Sequence, residues 1–265
     1  MQAMNSQSQT AGALLRQWRQ RRRLSQLDLA CEAEISTRHL SFVETGRAQP
    51  SRDMLLHLAE QLDMPLRERN RLLAAAGFAP LYSQHDLADP ALAPARQAIE
   101  QLLKAHEPYP ALAIDRQWNL LAANAAATAF LAGMPDFLLG PPLNVMRLSL
   151  HPEGLAPRIA NLALWRAHLL MRLQRDAEIS GDETLFDLLD ELRGYPAPAE
   201  VPAPPSDAVL VPLQLHSEHG VLSLISTITV FGTPNDVTLA ELALETFFPA
   251  DAFTAEYLRN LMKSP

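Results

Sequence analysis

The stretch LSQLDLACEAEISTRHLSFVETGRAQPS, residues 24–51, decides the fold of the first part of the chain. Ser25 followed three residues later by Asp28 forms a capping-box pattern, which predicts the start of a helix. Ser36 predicts the N-cap of the next helix, and Gly46 is the residue that a left-handed helix C-cap favours. The stretch therefore predicts two short helices joined by a tight turn.

Apolar residues at helical spacing extend this pattern in both directions along the chain. Leu14 and Trp18 mark the inner face of an earlier helix, and two later helices begin near Pro50 and Pro65. We therefore expect a five-helix, all-α head over residues 12–78.

The same stretch resembles the helix-turn-helix of phage repressors and of the XRE-type regulator family. The matching residues are Ser25-Gln26, Leu29-Ala30, Ile35-Ser36, Leu40, Val43-Glu44, Gly46 and Pro50-Ser51. One departure is Glu34, because the family often has Gly at this turn. The resemblance implies a domain that binds a double-stranded DNA operator, and it implies that Glu44 pairs with Arg19 in a structural role.

The third helix of the head is the predicted recognition helix. If Leu40 and Val43 point inward, the 100° step of a helix turns its other face towards the DNA. An arginine can bind guanine through two hydrogen bonds, and a phenylalanine can pack on a thymine methyl group. The predicted base-reading residues are Thr37, Arg38, Ser41, Phe42 and Thr45, and the predicted phosphate contacts are Gln26 (from the resemblance), Arg47 and Arg52.

Charge separates the two halves of the chain. Residues 1–78 hold 11 arginines and 8 acidic side chains, a net charge of +3, whereas the remainder holds 11 basic and 22 acidic side chains, a net charge of −11. A modestly basic head suits phosphates, and an acidic body is repelled by DNA. The alternative is a protein-interaction module whose basic face is only solvated, and Arg21 to Arg23 fit either interpretation.

Composition limits the remaining classes of protein. With 48% hydrophobic residues in 265, the chain has ample material for a core, and its apolar runs are too short to predict a membrane span. The single cysteine, Cys31, cannot form a disulfide within the chain, which fits a cytoplasmic protein. We interpret Cys31 as a small packing residue, with a redox sensor as the alternative.

A connector, residues 79–94, holds three prolines and precedes a second domain expected over residues 95–265. The apolar runs 111–114 and 119–122 predict a β-hairpin.

A helical block at 156–179, with Trp165 and its arginines outward, is expected next. Strands at 209–215 and 221–231 predict a second hairpin, and a final helix or two should close the chain. Together these elements predict an α+β, PAS-like domain, a small antiparallel sheet with helices over one face.

This second part also resembles the ligand-binding domain of MmyB-like regulators over nearly all of residues 95–262. The matching segments are Ala113–Trp118 with Asn124, Asn144–Leu155, Phe231–Leu242 and Phe247–Asp251. The family implies a PAS-like pocket able to hold a long-chain, fatty-acid-like molecule.

We expect the wall of such a pocket to be apolar, although a filled core would use the same residues. The candidates are Leu112, Ile114, Leu121, Phe130, Leu162, Leu169, Leu222 and Ile228. Arg147, His151 and Arg158 cluster within twelve residues and are candidates for holding a ligand's carboxylate. The alternative is a surface turn with scattered cations.

Catalytic motifs are absent from the sequence, so we expect neither an enzyme nor a cofactor other than a bound fatty acid. His216 and His219 flank a turn, but no other ligand is placed to complete a metal site. The predicted protein is a homodimeric transcription factor that reads a roughly palindromic operator and senses a small hydrophobic ligand. The alternatives are a constitutive DNA binder whose second domain only dimerises, and an unrecognised enzyme.

Overall fold

The computed structural model describes residues 10–196 and 210–263, and the chain forms two compact units. The first unit comprises the described residues up to Gln84 together with the segment Pro234–Ala240. The second unit comprises His85–Thr233 and the chain from Glu241 onward, as far as these are described.

Five helices form the first unit up to Gln84, which confirms the predicted head. They are α1 (Ala11–Arg21), α2 (Gln26–Glu32), α3 (Thr37–Glu44), α4 (Arg52–Gln61) and α5 (Leu66–Ala75). The Ser25–Asp28 capping box is present, with each side chain accepting a hydrogen bond from the other residue's backbone N–H. Leu15 and Trp18 of α1 pack in one core with Leu40 of α3.

The turn between α2 and α3 holds Glu34 in the left-handed region, at φ 53°. The N–H of the next residue, Ile35, donates to the carbonyl of Ala30 and closes the turn. A side chain at such an angle crowds its own carbonyl, which is why glycine suits this position. The chain therefore forms this turn without the glycine that the helix-turn-helix family it resembles often has there.

The second unit is built on an antiparallel sheet in the order β2-β1-β5-β4-β3. Its strands are β1 (Ala111–Ile114), β2 (Leu120–Ala123), β3 (Leu213–Ser217), β4 (Gly220–Val230) and β5 (Ala243–Pro249). The α+β class is confirmed. The second hairpin has a shorter turn than predicted, at residues 217–220, and residue 209, its predicted start, lies outside the described residues.

The remaining helices belong to the second unit, except α12, which belongs to the first. They are α6 (Ala93–Ala105), α7 (Ala125–Ala129), α8 (Asp136–Leu139), α9 (Val145–Leu150), α10 (Leu162–Ser180), α11 (Glu183–Arg193), α12 (Val237–Ala240) and α13 (Ala252–Leu261). The expected closing helices, α12 and α13, are present, but the central strand β5 lies between them. Predicting only helices after Pro234 was therefore wrong.

The outward orientation predicted for Trp165 of α10 was also wrong. Trp165 is 3% exposed and is buried with Leu169, Leu173 and Ala177, which follow it at four-residue intervals and form the buried stripe of the helix. α10 packs against α11, so Trp165 faces the core rather than solvent.

Helix α12 completes the first unit, although it lies within the range predicted for the second domain. Val237 is fully buried, and its N–H donates to the carbonyl of Ser83 at 2.8 Å. Asn70 of α5 holds the chain just before this point, because its side chain bonds the backbones of Leu81 and Tyr82. Residues 234–240, which lie between β4 and β5 in sequence, are thus part of the first unit.

Candidate functional site

Helix α3 has the two faces that the sequence predicts. Leu40 and Val43 are buried in the head's core. The other face carries the predicted base-reading side chains: Arg38 and Thr45 are exposed, and Thr37, Ser41 and Phe42 are half-buried. The guanidinium of Arg38 lies over the ring of Phe42, 5.4 Å from its centroid, which orients the arginine without using its hydrogen-bond donors. Thr45 donates its hydroxyl to the Ser41 carbonyl at 2.7 Å.

A buried ion pair fixes α3 against α1. Arg19 donates to both carboxylate oxygens of Glu44, at 2.6 and 2.9 Å, and the hydrogen bond raises the pKa of Arg19. This geometry confirms the structural role predicted for Glu44. The side chain of Gln26 also donates to Glu44, at 2.7 Å, so its phosphate contact stays a prediction.

The first unit contains two kinds of arginine. Arg47 and Arg52, the predicted phosphate contacts, are exposed. Arg22 instead donates to the carbonyls of Leu62 and Asp63, both at 2.8 Å, and therefore ties α1 to the end of α4. Of the basic run that the sequence left open, at least this arginine has a structural partner.

The second unit contains a cavity of about 110 Å³ between the sheet and helices α7, α9 and α10. Its lining is almost entirely apolar. It includes Leu112, Ala123, Ala127, Phe130, Met146, Leu169, Leu213, Leu224 and Phe247. Apart from the indoles of Trp118 and Trp165, Ser149 and Glu245 are the lining side chains that carry polar atoms. The wall suits an aliphatic or aromatic ligand.

The Trp118 side of the cavity has an unusual backbone. Trp118 adopts φ 66°, in a turn where Asp115 accepts hydrogen bonds from the backbones of Gln117 and Asn119. Such a conformation is unfavourable for a bulky residue and persists only where its surroundings impose it. Here the guanidinium of Arg172 lies 4.3 Å from the ring centroid and holds the indole in place.

Two family models match the chain. A helix-turn-helix domain matches residues 10–72, and the MmyB-like transcription regulator ligand binding domain matches residues 95–261, well over half of the chain. The chain belongs to the MmyB-like transcription regulators. No curated protein matches it. Its two domains make this MmyB-like regulator a DNA-binding transcription regulator with a ligand-binding domain.

The predicted apolar ligand residues of the regulator separate into two groups. Leu112, Phe130 and Leu169 line the cavity. Five others do not: Ile114, Leu162 and Leu222 lie in or against the surrounding core, and Leu121 and Ile228 are exposed.

The three predicted anchors of a carboxylate, Arg147, His151 and Arg158, do not line the cavity. Arg147 makes a bidentate pair with Glu191 of α11, with its shortest contact at 2.7 Å. This hydrogen bond lowers the pKa of Glu191. The ring of His151 packs edge-on against Phe137 and Tyr195, with ring centroids 5.3 and 5.1 Å apart.

Arg158, the third of these residues, donates to the Phe130 carbonyl, at 3.5 Å. Sequence proximity therefore did not bring the three together at the cavity. The polar residues that do line it, Ser149 and Glu245, were not among the candidates, because their positions follow only from the pairing of β5 with β1 and β4 and from the packing of α9.

Residues 10–196 and 210–263 show neither a membrane-spanning helix nor a cluster of metal ligands. No helix there is both long and apolar enough to cross a bilayer. The same residues contain no group of three or more His, Cys, Asp and Glu arranged to hold a metal ion.

Proposed function

We propose that this regulator binds a roughly palindromic operator as a homodimer and that a small fatty-acid-like ligand, held in the cavity of its second unit, controls this binding. The DNA-binding half of the proposal is supported by the exposed Arg38 on α3 and by the positive charge of residues 1–78. One helix-turn-helix reads only a half-site, so a dimer provides useful affinity. The protein then acts where the DNA is, in the cytoplasm.

The single observation that supports an aliphatic ligand is the apolar cavity in a domain that matches a ligand-binding family. Its volume of about 110 Å³ is somewhat below the roughly 150 Å³ of an engineered cavity that binds benzene. The cavity as it stands therefore suits a short stretch of hydrocarbon, and a long chain requires lining side chains such as Phe130 or Phe247 to move. Each buried methylene contributes about 0.8 kcal/mol, which favours an aliphatic chain.

We infer binding rather than catalysis. The two matched families are a DNA-binding domain and a ligand-binding domain. The alternative function is a constitutive DNA binder whose second unit only dimerises. An apolar cavity has no evident use in such a protein, because unfilled core volume destabilises a fold.

The test combines ligand detection with a matched pair of variants. Mass spectrometry of the purified protein should find a bound molecule with an aliphatic chain, and adding that molecule should change operator affinity measured by fluorescence anisotropy. Ala127→Leu fills the cavity and should abolish this response, whereas Ala129→Leu, on the exposed side of the same helix α7, should keep it.

Two results would favour the constitutive binder. One is a protein that carries no such molecule and does not respond to added aliphatic compounds. The other is an Ala127→Leu variant whose response is unchanged. Dimerisation is tested separately, by analytical ultracentrifugation with and without the operator.

A further inference from the structure

The charged group at the wall of the cavity is a carboxylate, not an arginine. Glu245 of β5 lines the cavity and is only 5% exposed. We propose that the ligand's polar end is an uncharged hydrogen-bond donor, a hydroxyl or a primary amide, that donates to Oε2 of Glu245. This inference rests on the proposed function. It keeps the aliphatic chain but replaces the free carboxylate of a fatty acid.

The hydrogen bonds of Glu245 leave one acceptor available. Its Oε1 accepts from Nη1 of Arg172 at 2.9 Å, and the two side chains are 6% and 16% exposed. Its Oε2 has no partner among the described residues. A carboxylate oxygen accepts more than one hydrogen bond, and Oε2, unlike Nη2 of Arg172, is not fully buried, so a donor can reach it. A ligand donor entering the cavity would satisfy it.

The charge of this part of the wall selects the ligand's head group. Arg172 and Glu245 carry opposite charges, and another charged group that acts on Arg172 is the carboxyl of Asp176, so an anion gains no net opposite charge there. An anionic head would be buried beside the carboxylate, and an ammonium would be buried close to the guanidinium; both arrangements disfavour the charged form. A neutral donor meets neither cost.

The nearby His168 does not offset the carboxylate. His168, on the same helix as Arg172, stacks on Trp165 with ring centroids 5.5 Å apart. Burial and the charge of Arg172 lower the pKa of His168, whereas the charge of Glu245 raises it. The net lowering keeps this imidazole neutral at ordinary pH. The guanidinium of Arg172 lies over Trp118 and donates through Nη1 to Glu245, while its Nη2 is buried without a partner among the described residues. Arg172 is not one of the residues that line the cavity.

The experiment compares four probes that share one chain: octanol, octanamide, octanoate and octylamine. Binding to the full protein is measured by isothermal titration calorimetry at neutral pH. We expect octanol and octanamide to bind at least about tenfold more tightly than octanoate and octylamine, since one hydrogen bond to a charged group commonly gives that factor. Glu245→Gln should bring octanoate to within about threefold of octanol, because it removes the repelling charge.

The matched control is Glu191→Gln, which removes a carboxylate of α11 that pairs with Arg147 outside the cavity; it should leave the order of the four probes unchanged. Octanoate binding to the wild type as tightly as octanol would overturn the head-group inference and leave the proposed ligand binding intact. Failure of all four probes, together with a purified protein that carries no aliphatic molecule, would overturn both. The comparison of the four probes on the wild-type protein tests the head-group inference even if the Glu245→Gln variant does not fold.

Discussion

Replacing Glu44 with alanine should destabilise the DNA-binding unit severely. The side chains of Glu44 and Arg19 are 1% and 10% exposed, so the substitution leaves a guanidinium almost entirely buried without its carboxylate. Stranding one partner of a buried pair costs about 3–5 kcal/mol. Arg19 keeps one bond to the Leu24 carbonyl, at 2.8 Å, whereas Gln26 loses its acceptor, so we expect about 4 kcal/mol.

The assay is scanning calorimetry of the full chain, in which the first unit should melt about 15–30 °C lower, given about 4–8 °C per kcal/mol for a unit of this size. The control is Arg71→Ala, which removes the 63% exposed partner of Glu68 in the same unit. That change should cost at most about 1 kcal/mol, because exposed pairs contribute little. If Glu44→Ala melted like the wild type and instead altered operator preference, Glu44 would be a recognition residue and the structural argument would be wrong.

Three further predictions concern single side chains. Arg38→Ala should weaken specific binding by about 1–3 kcal/mol and relax the base preference at one position of the operator. Arg47→Ala should instead weaken binding to all DNA sequences and reduce the slope of log affinity against log salt concentration by about one. Anisotropy titrations on operator variants at several salt concentrations distinguish the two effects. Glu34→Gly should stabilise the head by about 1 kcal/mol in calorimetry, because glycine relieves the left-handed backbone at φ 53°, and a lower melting temperature would contradict this. Arg147→Ala should leave octanol affinity unchanged, because the arginine bonds Glu191 outside the cavity, and a loss of tenfold or more would restore it as a ligand residue.

Much of the head could be predicted from its sequence because its signals are local. The Ser25–Asp28 capping box and the glycine at residue 46 act within one helical turn, and the structure has both. The inward positions of Leu40 and Val43 follow from the helical period alone. The Arg19–Glu44 pair joins residues 25 positions apart, and only the family resemblance pointed to it.

The second unit was harder to predict because its central strand gives a weak local signal. Strand β5 places Glu245, a charged residue, at a buried position between β1 and β4, which breaks the pattern expected of a buried strand. Its burial depends on Arg172, 73 positions earlier in the sequence. The prediction that the cations of residues 147–158 hold a carboxylate was wrong for the opposite reason. These residues are close in sequence, but they contact different partners once α9 packs against α11.

Because α12 belongs to the DNA-binding unit, a single cut in the chain cannot separate the two units. A gene fusion that transplants only residues 1–84 omits Val237, whose N–H occupies the Ser83 carbonyl, and uncovers the surface of α5 that α12 contacts. Exchange of heads between related regulators would therefore need three crossovers, one after residue 84 and one on each side of residues 234–240. The sequence of residues 234–240 should change together with that of the head when such proteins diverge.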